Sequence, residues 1–356
     1  MLTNLAPLNS PLSRIQEIPV TFFQNIENAQ IFDDNLFPDW VDSVFVGTEL
    51  KAKFKTIYIK YKLIPETVER LKIIDAFTHN NRIVDLCNNH PDIKFIPLDN
   101  LDKTIQNEIK EVFSYLYNSA INHPGFTAFI NDTLSDTIDR FIIDNKIQIC
   151  PICGLEGYVN LKGQSRIALD HWLSKDIFPV TSVNFDNLLP IGEKCNSRPA
   201  KGNKNILHDE SGNRTKVFYP YLSHHSVEAK FIYHKEPSID PSSNSDWSFD
   251  IYPKVQSEMY LFESWNSIFN ILIRYRDYVR KYILPLWENE YKSFIDESEI
   301  GHANSINELK EKFKLWKLSF KLKLTPGAIA YRSFIDNLIE NCSDAYLYSL
   351  FENLKR

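Results

Sequence analysis

An adjacent carboxylate and imidazole, followed by two asparagines, are the side chains best suited to chemistry in this 356-residue chain. Asp170 and His171 are neighbours, and Asn187 and Asn196 follow them. A carboxylate can hold a hard divalent ion through oxygen, and an asparagine carbonyl offers a neutral second ligand. An imidazole can accept a proton from water near neutral pH, because its ordinary pKa is about 6.5. Together these groups could activate water beside a metal ion and hydrolyse a phosphodiester.

The pattern around these residues resembles the HNH, or ββα-metal, endonuclease family over roughly residues 147–220, and a motif of several parts is more specific than any one part. The segments that carry the resemblance are Cys150-Pro151-Ile152-Cys153-Gly154, Leu169-Asp170-His171-Trp172, Phe178-Pro179, Asn187-Leu188-Leu189-Pro190, Cys195-Asn196-Ser197-Arg198 and Lys201-Gly202. In that family an Asp-His pair ends a short strand, an Asn braces the loop, and an Asn or His returns on the following helix.

The resemblance implies a role for each of these residues. His171 would be the general base, and Asp170 and Asn196 would hold a catalytic Mg²⁺ or Mn²⁺ ion. Asn187 would tie the loop and orient the histidine. Two protein ligands leave metal positions for water and a phosphate, which suits Mg²⁺. The family implies an endonuclease that leaves 5′-phosphate and 3′-hydroxyl ends, with DNA favoured over RNA as the substrate.

Each residue also has an ordinary structural explanation. Asp-His is a common dipeptide, and a lone histidine is more often structural than catalytic. Asn187 could be a turn residue, and Asn196 could be a helix cap. The joint pattern, with all members of the expected set present, favours an active nuclease site.

The cysteines indicate a second metal, zinc, but their ligand set is incomplete. Relatives with a Cys-x-x-Cys pair usually carry a second pair just before the Asn, whereas Gly192 stands here in place of that pair's first cysteine. Cys150, Cys153 and Cys195 thus supply three of the four ligands of a closed tetrahedral site. His208 is one candidate for the fourth. The alternative is a relic knuckle that packs without metal.

A local cluster of basic residues contrasts with the acidic balance of the whole chain. The net charge is −6, which is unusual for a nucleic-acid-binding protein, because phosphate contacts supply most of the affinity. Residues 194–216 are nevertheless rich in lysine and arginine. The sequence predicts that the phosphate contacts come from Arg198, Lys201, Lys204 and Arg214. The ordinary alternative is a solvated, lysine-rich loop.

Composition favours a globular, cytoplasmic protein. Hydrophobic residues make up 43% of the chain, which is ample for a packed core. No apolar run approaches the ~20 residues that span a bilayer, and the N-terminus lacks a signal-peptide pattern. Five cysteines, an odd number, fit a reducing compartment better than a disulfide framework. We therefore expect no membrane partner.

The sequence predicts an α+β fold in which an HNH module is embedded between mainly helical regions. The predicted regions are 1–146, 147–221 and 222–356. Helices are predicted over 65–87, 101–122, 133–146, 268–284 and 286–296, and strands over 227–233 and 248–252. Residues 1–60 show no clear helical periodicity. A capping box at Ser305 and Glu308 predicts the start of a further helix.

Two functions remain open at this point. By analogy with many stand-alone bacterial HNH proteins, the nuclease would act in phage defence or restriction, beside an ATPase or sensor partner. The alternative is a non-catalytic HNH-fold subunit that binds nucleic acid or a partner protein within a larger complex. The incomplete cysteine set supports the alternative, whereas the intact Asp170, His171 and Asn196 favour the nuclease.

Overall fold

The computed structural model describes residues 5–158, 160–161, 164–165, 168–198, 200–209, 211–222, 226–237 and 245–354. These residues fall into two compact units. The N-terminal unit contains the described residues of 5–145 and 160–222, and the C-terminal unit contains those of 146–159 and 223–354. Helices and antiparallel strand pairs are both present, so the fold is α+β, as predicted. The division differs from the three predicted regions because the segment with Cys150 and Cys153 belongs to the C-terminal unit.

Helices form most of the N-terminal unit before residue 146. They are α1 (Glu17–Asn25), α2 (Val41–Val44), α3 (Leu50–Leu63), α4 (Thr67–Asn80), α5 (Ile83–Cys87), α6 (Lys103–Asn118), α7 (Pro124–Ile130) and α8 (Leu134–Asn145). α6 begins after Asp102, whose carboxylate accepts a hydrogen bond from the Thr104 amide at 2.8 Å. Its buried side chains recur every three or four residues. α6 and α8 confirm the helices predicted over 101–122 and 133–146, with slightly different ends.

The helix predicted over 65–87 is divided into α4 and α5. The break follows Asn80, whose buried side chain serves the backbone of a distant residue. It donates to the Ile96 carbonyl at 2.6 Å and accepts from the Ile96 amide at 3.4 Å. The Asn80 side chain thus supplies hydrogen-bond partners to the buried backbone of Ile96 at the point where the helix breaks.

Residues 1–60 show no clear helical periodicity in the sequence, yet α1, α2 and most of α3 lie there. α3 buries Leu50, Phe54 and Ile57 at helical spacing and packs against α6. Lysines between these positions obscure the apolar pattern in the sequence. Tertiary packing, which a local pattern does not reveal, stabilises this helix.

Short strands and a short helix position the candidate site. The strands of the N-terminal unit are β1 (Asn160–Leu161), β2 (Gln164–Ser165), β3 (Ala168–His171) and β4 (Leu188–Ile191). β3 pairs with β4 in antiparallel register, with Asp170 opposite Leu189 and His171 opposite Leu188. α9 (Glu193–Asn196) follows Gly192 and packs against β3.

The C-terminal unit combines a strand pair with helices. Its elements are β5 (Val227–Lys235), β6 (Asp246–Pro253), α10 (Met259–Phe269), α11 (Ile271–Tyr278), α12 (Leu284–Ser298), α13 (Ile306–Ser319), α14 (Ala328–Glu340) and α15 (Asp344–Leu354). β5 and β6 are antiparallel and confirm both predicted strands, while most of the predicted polar loop between them lies outside the described residues. α14 packs on β5, where the rings of Phe231 and Phe334 meet edge to face at 5.2 Å.

The helical path through 259–298 breaks earlier than predicted. Asn270 has a φ of 54° and separates α10 from α11. Pro285 does not end the helical path, because a π-helical segment, Val279–Ile283, leads directly into α12 and Pro285 lies in the first turn of α12. Ser305 caps α13 as predicted, since its hydroxyl accepts the Glu308 amide at 3.2 Å. Among the helices of the described residues, none is both long and apolar enough to cross a membrane.

Candidate active site

Asp170 and His171, at the end of β3, are each only 7% exposed. The Lys201 ammonium lies 2.8 Å from Asp170 Oδ2, although Oδ2 accepts no well-aligned hydrogen bond from a described residue. Burial raises the pKa of Asp170, and the charge of Lys201 opposes that rise. The same ammonium donates a hydrogen bond to the His171 carbonyl at 2.6 Å. Lys201 therefore engages the carboxylate and the backbone of the strand end together.

The His171 ring is fixed through one of its two nitrogens. Nε2 lies 3.0 Å from the Ser182 carbonyl oxygen. Because a carbonyl can only accept, this contact assigns the proton of the neutral ring to Nε2 and leaves Nδ1 as the basic nitrogen. Burial lowers the pKa of His171 to about 4, assisted by the charges of Lys175 and Lys201. The imidazole is therefore neutral at physiological pH, which is the form that a general base requires.

Tyr117, from α6, packs against the catalytic candidate. Its ring meets the His171 ring at 4.3 Å between centroids, with 63° between the planes. The phenol donates to the Leu169 carbonyl at 3.0 Å, and its pKa is raised to about 12 by burial. The Lys175 ammonium lies 5.6 Å from the centroid of the Tyr117 ring. The sequence placed Tyr117 on the apolar face of a helix, and no local signal connected it with His171.

Asn187 ties the loop between β3 and β4. It is fully buried, and its Oδ1 accepts the Leu173 amide at 2.6 Å. Its Nδ2 donates to the Leu173 carbonyl at 3.0 Å and to Thr181 Oγ1 at 2.8 Å. The Asn187 carbonyl also accepts the Trp172 amide at 2.7 Å. These bonds hold both ends of the loop that contains Ser182, the anchor of the His171 ring.

The donor set around β3 fits a hard divalent ion. Asp170 offers carboxylate oxygen at the end of β3, and the half-buried Asn196 offers amide oxygen on α9, which packs against β3. Oxygen donors of this kind suit Mg²⁺ or Mn²⁺ rather than a thiophilic metal. A buried carboxylate oxygen without a well-aligned hydrogen bond is also consistent with a cation ligand.

The predicted basic surface is smaller than the sequence indicated. Arg198 and Lys204 are exposed, whereas Lys201 is 1% exposed and pairs with Asp170. Arg214 is half-buried and donates to the Leu207 and Leu86 carbonyls at 3.0 and 2.9 Å. Its guanidinium lies 5.2 Å from the Phe95 centroid, and burial lowers its pKa. Internal contacts therefore use two of the four cations that were predicted to meet phosphates.

Cys150 and Cys153 form a tight turn in the C-terminal unit. The Gly154 amide donates to the Cys150 carbonyl at 2.8 Å, and the Leu155 amide donates to Cys153 Sγ at 3.4 Å. Gly154 has a φ of 65°, which a residue with a side chain rarely adopts. An N–H group directed at sulfur stabilises a thiolate, so the turn fits a pair of zinc ligands.

The cysteine turn is packed against aromatic side chains of its own unit. Trp265 Nε1 donates to the Ile152 carbonyl at 3.1 Å, and the Tyr275 hydroxyl donates to the Cys153 carbonyl at 2.7 Å. All five cysteines lie in the described residues and are reduced. Cys195 is buried in α9 of the N-terminal unit, and its participation in a zinc site stays a prediction. His208 packs edge-on against Phe95 at 4.7 Å.

Comparisons with known proteins add no relative from which a function could be taken. The chain matches no protein-family model, and no curated protein and no solved structure matches it at a significant level. The proposed function is therefore based on the Asp-His and Asn motif of the sequence and on the geometry of the site.

Proposed function

We propose that the N-terminal unit carries an HNH-type active site that hydrolyses phosphodiester bonds of nucleic acid, with DNA favoured over RNA. The observation that carries the proposal is the state of His171. Its Nε2 is anchored to the Ser182 carbonyl at 3.0 Å, and its pKa is lowered to about 4. A neutral imidazole that carries its proton on Nε2 presents Nδ1 as the nitrogen that can accept a proton from water. The order of strand, loop, strand and short helix around it supports the same assignment.

The residues of the site divide the reaction between them. His171 Nδ1 accepts the proton of the attacking water, while Asn187 keeps the loop that anchors Nε2 in place. Asp170 and Asn196 supply oxygen ligands for a divalent ion. When bound, Mg²⁺ or Mn²⁺ supplies Lewis-acid stabilisation of the charge that develops on the phosphate. Arg198 and Lys204, which are exposed, are the proposed contacts to the substrate backbone.

A plasmid-cleavage assay tests this proposal. Wild-type protein should cut DNA with Mg²⁺ or Mn²⁺ and should not cut with a chelator present. His171→Ala should reduce the rate by at least ~10²-fold, because general-base catalysis contributes that much or more. The matched control is His234→Ala, which removes an exposed imidazole of the C-terminal unit. Equal rates for His171→Ala and wild type would refute the assignment of the general base.

We also propose that the Cys150–Cys153 turn holds structural zinc, with Cys195 as the predicted third ligand. Protein purified without added metal should then contain one zinc per chain by elemental analysis, and Cys150→Ser/Cys153→Ser should contain none. Cys342→Ser, at a half-buried cysteine outside the turn, is the control. Substoichiometric zinc in wild type, with full activity of the double variant, would instead identify a relic knuckle.

A second candidate function is a non-catalytic HNH-fold subunit that binds nucleic acid or a partner protein. The pairing of Lys201 with Asp170 favours this non-catalytic role, because the ion pair occupies the carboxylate that is proposed to bind the metal. Retained DNA binding without cleavage under every metal condition would support this candidate. Co-purification would test for the ATPase or sensor partner, which rests on analogy alone, as does the role in phage defence or restriction. The cytoplasmic setting is proposed from the cysteine usage.

A further inference from the structure

Lys201 makes two contacts with the candidate site at once. Its ammonium lies 2.8 Å from Asp170 Oδ2 and donates to the His171 carbonyl at 2.6 Å. The side chain is 1% exposed. Lysine is almost never buried this far unless it has a charged partner, and here that partner is Asp170. One cation therefore neutralises the buried carboxylate and fixes the end of β3.

The carboxylate that Lys201 neutralises is also the proposed ligand of the divalent ion. Two cations at one buried carboxylate repel each other strongly, because the surroundings screen charge less than water does. The backbone of Lys201 is also hydrogen-bonded next to Asn196, the other proposed metal ligand. Its amide donates to the Cys195 carbonyl at 3.4 Å, one residue before Asn196. A movement of Lys201 is therefore coupled to both elements that would hold the ion.

We propose that Lys201 is a resident counter-cation that a divalent ion displaces from Asp170. Lys201 thereby sets the metal concentration at which the site becomes competent. The inference rests on the proposed nuclease function, which assigns Asp170 to the metal. The exchange breaks no covalent bond, since one cation replaces another at the same carboxylate. At low metal concentration the ammonium keeps β3 and α9 assembled, and at high concentration it is released.

Amine labelling of the wild-type protein tests the displacement. Without divalent metal, an acylating reagent should modify Lys201 at least ~10-fold more slowly than the exposed Lys216, because only a local opening exposes the buried amine. Saturating Mg²⁺ should bring the rate at Lys201 close to that at Lys216, as measured by mass spectrometry of peptides. An unchanged rate at Lys201, or no Mg²⁺ binding by calorimetry, overturns the proposal.

Calorimetric titration of Lys201→Gln with Mg²⁺ provides a second readout. Removing the competing charge should tighten binding roughly tenfold or more. Lys216→Gln makes the same charge change at an exposed position, and it should alter the affinity by no more than about twofold, because surface charges are screened. Equal or weaker binding by Lys201→Gln overturns the proposal. If that variant does not fold, the labelling of wild type decides.

Neither measurement depends on cleavage, so the two proposals can fail separately. A protein that cuts plasmid while Lys201 stays protected at saturating Mg²⁺ refutes the counter-cation alone. A protein that exposes Lys201 on binding Mg²⁺ but cuts nothing refutes the nuclease function alone.

Discussion

Two strand pairs of the fold, β3–β4 and β5–β6, bury different kinds of side chain. β5–β6 buries Phe231 and Phe249, and charged residues such as Glu228 remain at the surface. β3–β4 and its loop instead bury Asp170, His171, Thr181, Ser182 and Asn187. Buried polar groups cost free energy unless they are hydrogen-bonded. Their concentration at one strand pair agrees with the active site that we propose there.

Asn187→Ala should break this contrast most severely. The change removes the bonds to the Leu173 amide and carbonyl and to the Thr181 hydroxyl, and it leaves the two buried backbone groups of Leu173 without these partners. We expect the free energy of unfolding to fall by roughly 3 kcal/mol or more, at ~1 kcal/mol for each bond with added desolvation penalties. Plasmid cleavage should be lost with it, because the loop anchors His171. Urea denaturation and the cleavage assay measure the two effects.

The control for Asn187→Ala lies on β6. Ser248→Ala removes a hydroxyl 3.0 Å from His234 Nε2 in an exposed pair, and it should cost less than ~0.5 kcal/mol. A loss in Asn187→Ala no larger than the loss in Ser248→Ala would show that the buried polar loop is not held as described.

The pH dependence of stability should report on the burial of His171 in the β3–β4 pair. His171 has a folded-state pKa of about 4, below its ordinary 6.5, so the folded state binds the proton more weakly than the unfolded state. The resulting stability is fully present above pH ~6.5 and is lost as the pH falls towards 4. The full loss is on the order of 3 kcal/mol.

Denaturation of variants at several pH values isolates this contribution. His171→Asn should lose less stability than wild type between neutral pH and about pH 4.5, because the titrating group is gone. Identical pH profiles for wild type and His171→Asn would contradict the burial of a neutral imidazole.

Tyr117→Phe should have the smallest effect and should sharpen the comparison. It keeps the ring against His171 and removes only the hydrogen bond to the Leu169 carbonyl. We expect a loss of about 1 kcal/mol in stability and a lower kcat with little change in KM, because Tyr117 positions the base and does not touch substrate. Tyr252→Phe, at an exposed ring on β6, is the control. A larger effect from the control would exclude a positioning role for Tyr117.

Local structure was predictable from this sequence, whereas long-range pairing was not. α6, β5 and β6 have periodic patterns and clear end signals, so their positions follow from a short window of residues. α3 escaped prediction because its burial is determined by α6, far along the chain. Asp170, His171 and Asn187 were identifiable as candidates because they lie within one contiguous motif.

Lys201 and Tyr117 show why the rest of the site could not be predicted. A lysine in a basic segment is normally solvated, and nothing near position 201 indicates that it is buried. Its hydrogen bond to the His171 carbonyl spans 30 positions, and that of Tyr117 to the Leu169 carbonyl spans 52. Such contacts are determined by the tertiary fold, which a short window of sequence does not reveal.

Both units are discontinuous along the chain, and this affects the order of events during synthesis. Because the ribosome releases the N-terminus first, the N-terminal unit is complete only after residue 222 has emerged. The Cys150–Cys153 turn emerges long before Trp265 and Tyr275, the residues that cover it. A nascent chain between these lengths carries a finished N-terminal unit and a cysteine turn without its aromatic cover. That interval during translation is when these two thiols are most accessible to oxidants.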